Sequence, residues 1–283
     1  MRGLAWTIGG LVALGLLFVA WCFAEARRDP VVRRADIALP RWPAGASPVR
    51  AVLVSDVHIG SLAMDAHRLS RIVAQINALD PDLVLIAGDF IAGHAPDGAA
   101  RSGEALVAPL GRLKPRFGVF AVPGNHDHWT GLARMRDQLA RAQVRVLQNQ
   151  AVAAGPLALG GLDDDFSGHA DVAATMRGVR VLPGAPLLLT HSPDVAPDLP
   201  ADAPLLFAGH THCGQVVLPF HGPVNEVSRY GPRYRCGLVR EGGRTVIVTA
   251  GLGASGGPFR LNAPPDLWLV TLRGAPAGAA AAR

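Results

Sequence analysis

The chain opens on an uncharged, mostly apolar run, Leu4–Ala24, of 21 residues. As a helix it spans roughly 30 Å, the thickness of a bilayer core. Trp6 and Trp21 sit near its two ends, where interfacial aromatics belong. From Arg50 onward the apolar residues come instead in short runs: Ala51–Val54, Leu83–Ala87, Val119–Val122, Leu187–Leu189, Leu205–Ala208, Val216–Leu218, Val246–Val248 and Leu267–Leu272. Each has strand length, and continuous apolar runs suit strands buried on both faces. Helical periodicity separates the early runs. In Ala66–Leu79, Leu69, Ile72, Val73 and Ile76 follow the spacing of one helix face, with Asp65 as N-cap. In Gly131–Gln143, Leu132, Met135 and Leu139 form a similar stripe, with Thr130 as its expected cap. Strands alternating with helices predict an α/β fold. After Gln150 strands and turns dominate, which predicts two packed sheets with helices outside. No short-period repeat is present.

The pattern divides the chain into a transmembrane anchor over 1–28, a Pro- and Arg-rich linker over 29–49 with one short strand at Ala35–Leu39, a folded domain over 50–273 and a disordered Ala/Gly/Pro tail over 274–283. A cleaved signal peptide is the competing reading of the first segment, since Ala24-Glu25-Ala26 resembles a cleavage site. The run is long for that, and only Arg2 precedes it. Arg27, Arg28, Arg33 and Arg34 follow it, so the positive-inside rule expects the folded domain in the cytoplasm, with the outer face as the alternative.

Composition changes this picture little. Of 283 residues, 49% are hydrophobic, enough for a sizeable core. The net charge of +5 is carried almost wholly by Arg, with Lys114 the sole lysine. No basic stripe interleaved with aromatics is visible, so no nucleic-acid partner is expected. The three cysteines, Cys22, Cys213 and Cys236, are widely spaced and form no CxxC pair. Neither a disulfide nor a cysteine-rich zinc site is expected. Cys213 is either a small buried residue or a soft ligand beside His212.

The candidate chemistry lies where the apolar runs stop. Val54-Ser55 leads to Asp56-Val57-His58, Ala87-Gly88 to Asp89, and Val122-Pro123-Gly124 to Asn125-His126-Asp127. Leu189-Thr190 leads to His191, and Ala208-Gly209 to His210-Thr211-His212. Groups at strand ends converge on one crevice in an α/β sheet. Hydrolysis of a phosphate ester brings a hydroxide to an anion that repels it. Two divalent cations roughly 3.5–4 Å apart, sharing a carboxylate and a bridging hydroxide, overcome that repulsion. A mixed His/Asp/Asn set without thiolate suits Mn, Fe or Zn. Each motif alone has a bland reading as a turn or a loop histidine. Their joint order at five strand ends does not.

The order Asp56-x-His58, Gly88-Asp89, Gly124-Asn125-His126-Asp127, His191 and Gly209-His210-x-His212 resembles the calcineurin-like metallophosphoesterases over about Arg50 to Leu272. Thr190-His191-Ser192-Pro193-Asp194, Gly209-His210-Thr211-His212-Cys213-Gly214-Gln215 and Gly251-Leu252-Gly253 with Arg260 resemble its bacterial, often membrane-associated branch. The resemblance implies a four-layer α/β/β/α sandwich of two mixed sheets. It implies two metal ions, one held by Asp56, His58, Asp89 and His212, the other by Asp89, Asn125, His191 and His210. It further implies that His126 contacts the phosphate and protonates the leaving oxygen, and that Asp127 orients His126. Cys213 stands where that branch commonly has Gly, and Ala250 where Arg is expected. Both departures bear on the substrate.

The expected activity is therefore that of a metal-dependent phosphoesterase, in particular a phosphodiesterase, tethered to a membrane. A lipid-linked pyrophosphate, such as a nucleotide-diphospho acylated sugar, is the alternative substrate. A non-catalytic scaffold that kept the fold is the alternative of another class. Outside the core motifs, His128 either edges the pocket or lies on the surface. Asp163-Asp164-Asp165 with His169 reads as a solvated turn rather than a further cation site. Arg229, Arg233, Arg235 and Arg240 read as a solvated face with one functional member at most. His67, His94 and His221 have no partner pattern and are taken as structural.

Overall fold

The computed structural model describes residues 2–275. Helix α1 (Arg2–Arg27) is long and apolar enough to cross a membrane, and its side chains stay exposed as far as Trp21. The strands then form two six-stranded mixed sheets. The first has the order β1 (Val31–Leu39), β14 (Asp266–Gly274), β2 (Val49–Val54), β3 (Leu83–Ala87), β4 (Val119–Val122) and β5 (Val144–Val146). The second has the order β12 (Gly237–Glu241), β13 (Arg244–Val248), β9 (Leu205–Ala208), β8 (Ala185–Leu189), β7 (Leu157–Gly161) and β6 (Gln150–Ala154). Strands β2 to β5 are parallel, as are β7, β8, β9 and β13.

The layers follow from alternation along each strand. Ala51 and Leu53 of β2 face the core between the sheets, where they meet Leu187 and Leu189 of β8 and Phe207 of β9. Val52 and Val54 face outward onto Leu69, Ile72 and Ile76 of α2 (Ala66–Ala78). On the other side, Leu188 and Leu206 meet Met176 and Val179 of α7 (Val172–Val181). The result is the expected four-layer α/β/β/α sandwich. Both outer faces carry helices, which is why the strands read as continuous apolar runs.

The segment expected as a linker is part of the sheet. Strand β1 pairs in parallel with β14 over nine residues, and the buried Ile37 and Leu39 join the inter-sheet core. Alternation along this edge strand is interrupted by Arg33, Arg34 and Asp36, and its partner lies more than 200 residues away. Asp65 caps α2 by accepting from the Arg68 amide at 2.8 Å. Thr130 does not cap the next helix. It closes α5 (Asn125–Thr130), its hydroxyl donating to His126 O at 2.7 Å, and left-handed Gly131 starts α6 (Leu132–Arg141). The short helices α3 (Gly98–Ser102) and α4 (Glu104–Leu110) have no clear period in the sequence. Of the expected tail, residues 276–283 lie outside the described residues.

The cysteines also depart from expectation. Cys213 and Cys236 form a disulfide, with Cα atoms 4.7 Å apart at a sequence separation of 23. A short helical turn, Gly231–Tyr234, brings Cys236 back, and Thr211 Oγ1 donates to Arg235 O at 2.6 Å beside it. This approach is tertiary, so spacing could not disclose it. Cys213 is therefore no metal ligand.

Candidate metal centre

All five motifs reach the carboxyl ends of β2, β3, β4, β8 and β9, and their loops are stitched together by backbone hydrogen bonds. Asp56 N donates to Gly88 O at 2.9 Å, His58 N to Asp89 O at 3.0 Å and Gly209 N to His191 O at 2.9 Å. The sheets meet where His210 N donates to Asp56 Oδ2 at 3.1 Å. Asp56, His58, Asp89, His210 and His212 all have φ between 48° and 72°, a left-handed conformation that costs side-chain-bearing residues free energy. Strain concentrated on five of seven expected ligands is a mark of a functional site. Gly88 permits the crowding: a Cβ there would stand 2.7 Å from both His191 Nδ1 and Gly124 N.

Asp89 is the centre of the cluster. Its Oδ2 lies 3.3 Å from His191 Nε2 and 3.6 Å from His58 Nε2. On one flank, Asp56 Oδ1 is 3.4 Å from His212 Nε2, which is 3.2 Å from His58 Nε2. On the other, His191 Nε2 is 3.1 Å from both Asn125 Oδ1 and His210 Nδ1. His191 Nδ1 donates to Ala87 O at 2.7 Å, which turns Nε2 toward Asp89, Asn125 and His210.

The donor set fits divalent cations. Asp56, His58 and His212 have ligand atoms within 4.8 Å of one another, as do Asp56, Asp89 and His191. Asp56 Oδ1 and His210 Nε2 are buried without any hydrogen-bond partner, although buried polar atoms are rarely left unpaired. Adjacent ring nitrogens and two buried carboxylates need positive charge between them. Burial drives His58 and His210 down to about 3, His191 adding to the effect in both, and drives His212 well below the ordinary range. These imidazoles are therefore neutral, the form that binds metal. Burial raises Asp56 to about 6, and Asp89 adds to that. Burial would raise Asp89 as well, but the charge and hydrogen bond of His191, itself raised well above its ordinary value chiefly by Asp89 against burial, outweigh it and hold Asp89 well below the usual carboxylate range.

His126 lies above this centre. Its Nδ1 donates to Gly93 O at 2.7 Å, and its Nε2 points toward the site, 4.0 Å from Asp89 Oδ2 and 3.3 Å from Ser255 Oγ. Asp127 does not orient that ring. Its carboxylate accepts from the amides of Asp89, Phe90, Ile91 and Gly124 at 2.8–3.3 Å, and so holds the β3 and β4 loops in register. Arg260, fully buried, does the same for the far loop, donating to the carbonyls of Ala250 and Gly253 and lying 3.2 Å from His212 Nδ1.

A cavity of about 510 Å³ opens over the cluster. Asp89, Asn125 and His210 form its floor, and Trp129, Phe166 and Phe259 line its sides. His94, taken as structural from the sequence, lines it too, its ring 4.9 Å from that of His126. Its place five residues past Asp89, on a ligand-bearing loop, was the available signal. His128 instead pairs with Asp163 at 2.7 Å and stacks on His169 at 3.9 Å. Asp164 accepts from the amides of Phe166 and Ser167, as a turn residue does. Arg229, Arg233 and Arg235 pair with Asp165, Glu241 and Glu226.

A family model described as calcineurin-like phosphoesterase matches residues 49–214, more than half of the chain. The chain belongs to the calcineurin-like phosphoesterase family. It is 31% identical to the uncharacterized metallophosphoesterase YkuE of Bacillus subtilis, over 82% of this chain and 81% of that one. It is 29% identical to a transmembrane protein with metallophosphoesterase domain from Danio rerio, over 94% of this chain but 62% of that protein. A 5'-nucleotidase precursor from Thermus thermophilus overlies 80% of this chain and 55% of its own, at 14% identity and a TM-score of 0.46. The family is one of metal-dependent phosphoric ester hydrolases, and the clustered His and Asp side chains could hold a metal ion here.

Proposed function

We propose that this protein hydrolyses a phosphoric diester at a binuclear centre. Asp56, His58, Asp89 and His212 would hold one cation. Asp89, Asn125, His191 and His210 would hold the second. The position of Asp89 Oδ2 between His58 and His191 carries this reading. The mixed nitrogen and oxygen donors suit Mn, Fe or Zn. Bound there, the cations would acidify a water and neutralise phosphate oxygens. The protein's own groups do the rest. Gly93 fixes the His126 ring, whose Nε2 hydrogen-bonds a phosphate oxygen and relays a proton to the leaving oxygen. Asp127 keeps Asp89 in place through the loop amides. The cavity over the floor leaves room for the second ester substituent between Trp129 and Phe259, which favours a diester.

The test uses the full chain in detergent, stripped of metal and reloaded with Mn, Fe or Zn. Bis-p-nitrophenyl phosphate is compared with p-nitrophenyl phosphate. Asp89→Asn and His210→Ala should each lower kcat/KM by about a thousand-fold or more, and elemental analysis should find less metal in both. Wild-type rates in these variants would overturn the mechanism. A complete ligand set disfavours the scaffold reading.

We also infer that the catalytic domain faces an oxidising compartment. The Cys213–Cys236 disulfide supports this against the arginine count, because such bonds rarely persist in a reducing cytosol. Arg27, Arg28 and Arg33 are moreover engaged in ion pairs with Asp65, Glu25 and Asp266. Protease applied to intact spheroplasts should digest the domain. Protection until lysis would return it to the cytoplasm.

A further inference from the structure

The placement of α1 says more than that the protein is anchored. Strand β1 begins at Val31, just past the helix, and runs parallel to β14 and therefore antiparallel to β2. The start of β1 thus lies at the same pole as the end of β2, where Asp56 stands. The helix end is packed onto that pole. Ala26 is fully buried against Ala63 and Ala254. Arg68, itself fully buried, donates to Arg27 O at 3.0 Å and Arg28 O at 2.9 Å. Arg27 pairs with Asp65 at 2.8 Å.

The decisive contact is Arg260 N donating to Cys22 O at 3.0 Å. Cys22 is the first buried residue after the exposed apolar stretch that ends at Trp21. The loop carrying Phe259 is therefore level with the point where the helix leaves the bilayer. Beside it, Val217 N donates to Leu261 O at 2.9 Å and Asn262 Nδ2 to Val217 O at 2.8 Å. These bonds pin the hairpin of β10 (Val217–Leu218) and β11 (Gly222–Pro223) to the same loop. Its tip residue Phe220 is wholly exposed, and Leu62, beside the Ala63 contact, is 72% exposed. Apolar side chains so placed around an anchor continue its apolar surface.

We infer that the catalytic pole is seated on the bilayer surface, with Leu62 and Phe220 entering the interfacial layer and the metal-site cavity opening beside the headgroups. The substrate is then an amphiphile whose phosphoester head is presented from the leaflet. This substrate class rests on the hydrolase reading above, while the seating does not.

Two measurements separate them. The full chain, in nanodiscs of palmitoyl-oleoyl phosphatidylcholine, carries a nitroxide at Leu62→Cys, at Phe220→Cys or at Val181→Cys. Val181 is 82% exposed at the end of α7, just before β8 begins, and so lies at the opposite pole. The labels at 62 and 220 should be oxygen-accessible and shielded from a water-soluble nickel chelate, and the label at 181 the reverse. Equal nickel access at all three positions overturns the seating. Hydrolysis of hexadecyl p-nitrophenyl phosphate in the same nanodiscs is then compared with that of methyl p-nitrophenyl phosphate. A Leu62→Ser/Phe220→Ser variant should lose about 10-fold in kcat/KM on the hexadecyl ester and keep its rate on the methyl ester. Equal rates of the variant and the wild type on both esters overturn the amphiphile reading. Absence of turnover of either ester by the wild type refutes the hydrolase reading alone.

Discussion

Asp127→Asn isolates the role that the structure gives to a buried carboxylate outside the ligand set. The wild-type Oδ2 accepts from the amides of Asp89 and Gly124, both at 2.9 Å, and Oδ1 from Phe90 at 2.8 Å and Ile91 at 3.3 Å. The substitution turns one of the two oxygens into an NH₂ group facing N–H donors. Two buried amides are then left without an acceptor, at about 1–3 kcal/mol each. We expect a net loss of about 3–5 kcal/mol, which for a domain of this size lowers Tm by about 10 °C. The assay is thermal unfolding of the full chain in detergent, with chelator present so that metal binding does not mask the change. A second readout is the Mn affinity of the folded variant. It should fall, because Asp127 positions the backbone of Asp89. If Tm stays within about 2 °C of the wild type, the four amide contacts do not hold these loops, and the reasoning fails.

Two further predictions follow from other contacts. Reducing the Cys213–Cys236 bond, or replacing both residues by Ser, removes a cross-link over 23 residues and should cost about 3 kcal/mol of stability. Because Cys213 adjoins His212, calorimetry should also show weaker metal binding, and identical melting with and without reductant would count against a role for the bond. The His128–Asp163 pair should make stability bell-shaped in pH. Burial lowers the His128 pKa, but the Asp163 hydrogen bond and charge outweigh it and raise it above its ordinary 6.5. Its contribution is therefore complete below 6.5 and fades as pH rises through the raised value. Burial would raise Asp163, but His128 and Gln148 hold it below 3.8, so its share is present above 3.8 and fades as pH falls through the depressed value. The difference between wild type and His128→Gln in urea melts should peak between these limits at about 1 kcal/mol. A difference independent of pH sinks the assignment.

How much of this was legible depends on how local each determinant is. Seven of the eight apolar runs became strands of the two large sheets because burial on both faces leaves a mark on every residue, whereas Val216–Leu218 became part of a half-exposed surface hairpin. Strands β6 and β7, built from Ala, Gly and single Leu or Val residues, left too faint a mark. The seven expected ligands all converge on one site, since each sits within four residues of a strand end. Phe166 could not be read, because a wall residue needs only to be near the cavity and no spacing rule records that, and His94 offered only its place on the loop after Asp89. Asp127 stands out by its motif but not by its contact: the sequence places it beside His126, whereas the fold turns its carboxylate to the amides of the neighbouring loop.

The sequence by itself determined the alternating α/β layers, the apolar N-terminal helix and the order of the clustered His, Asp and Asn side chains, because periodicity and strand-end punctuation are short-range properties. Tertiary structure alone decided the rest: the pairing of β1 with β14, the bond between Cys213 and Cys236, the central place of Asp89 and the docking of Cys22 onto the Arg260 loop. Each of these depends on groups distant in sequence meeting in space. Their contact free energy is set by how whole sheets and helices pack, which no local pattern records.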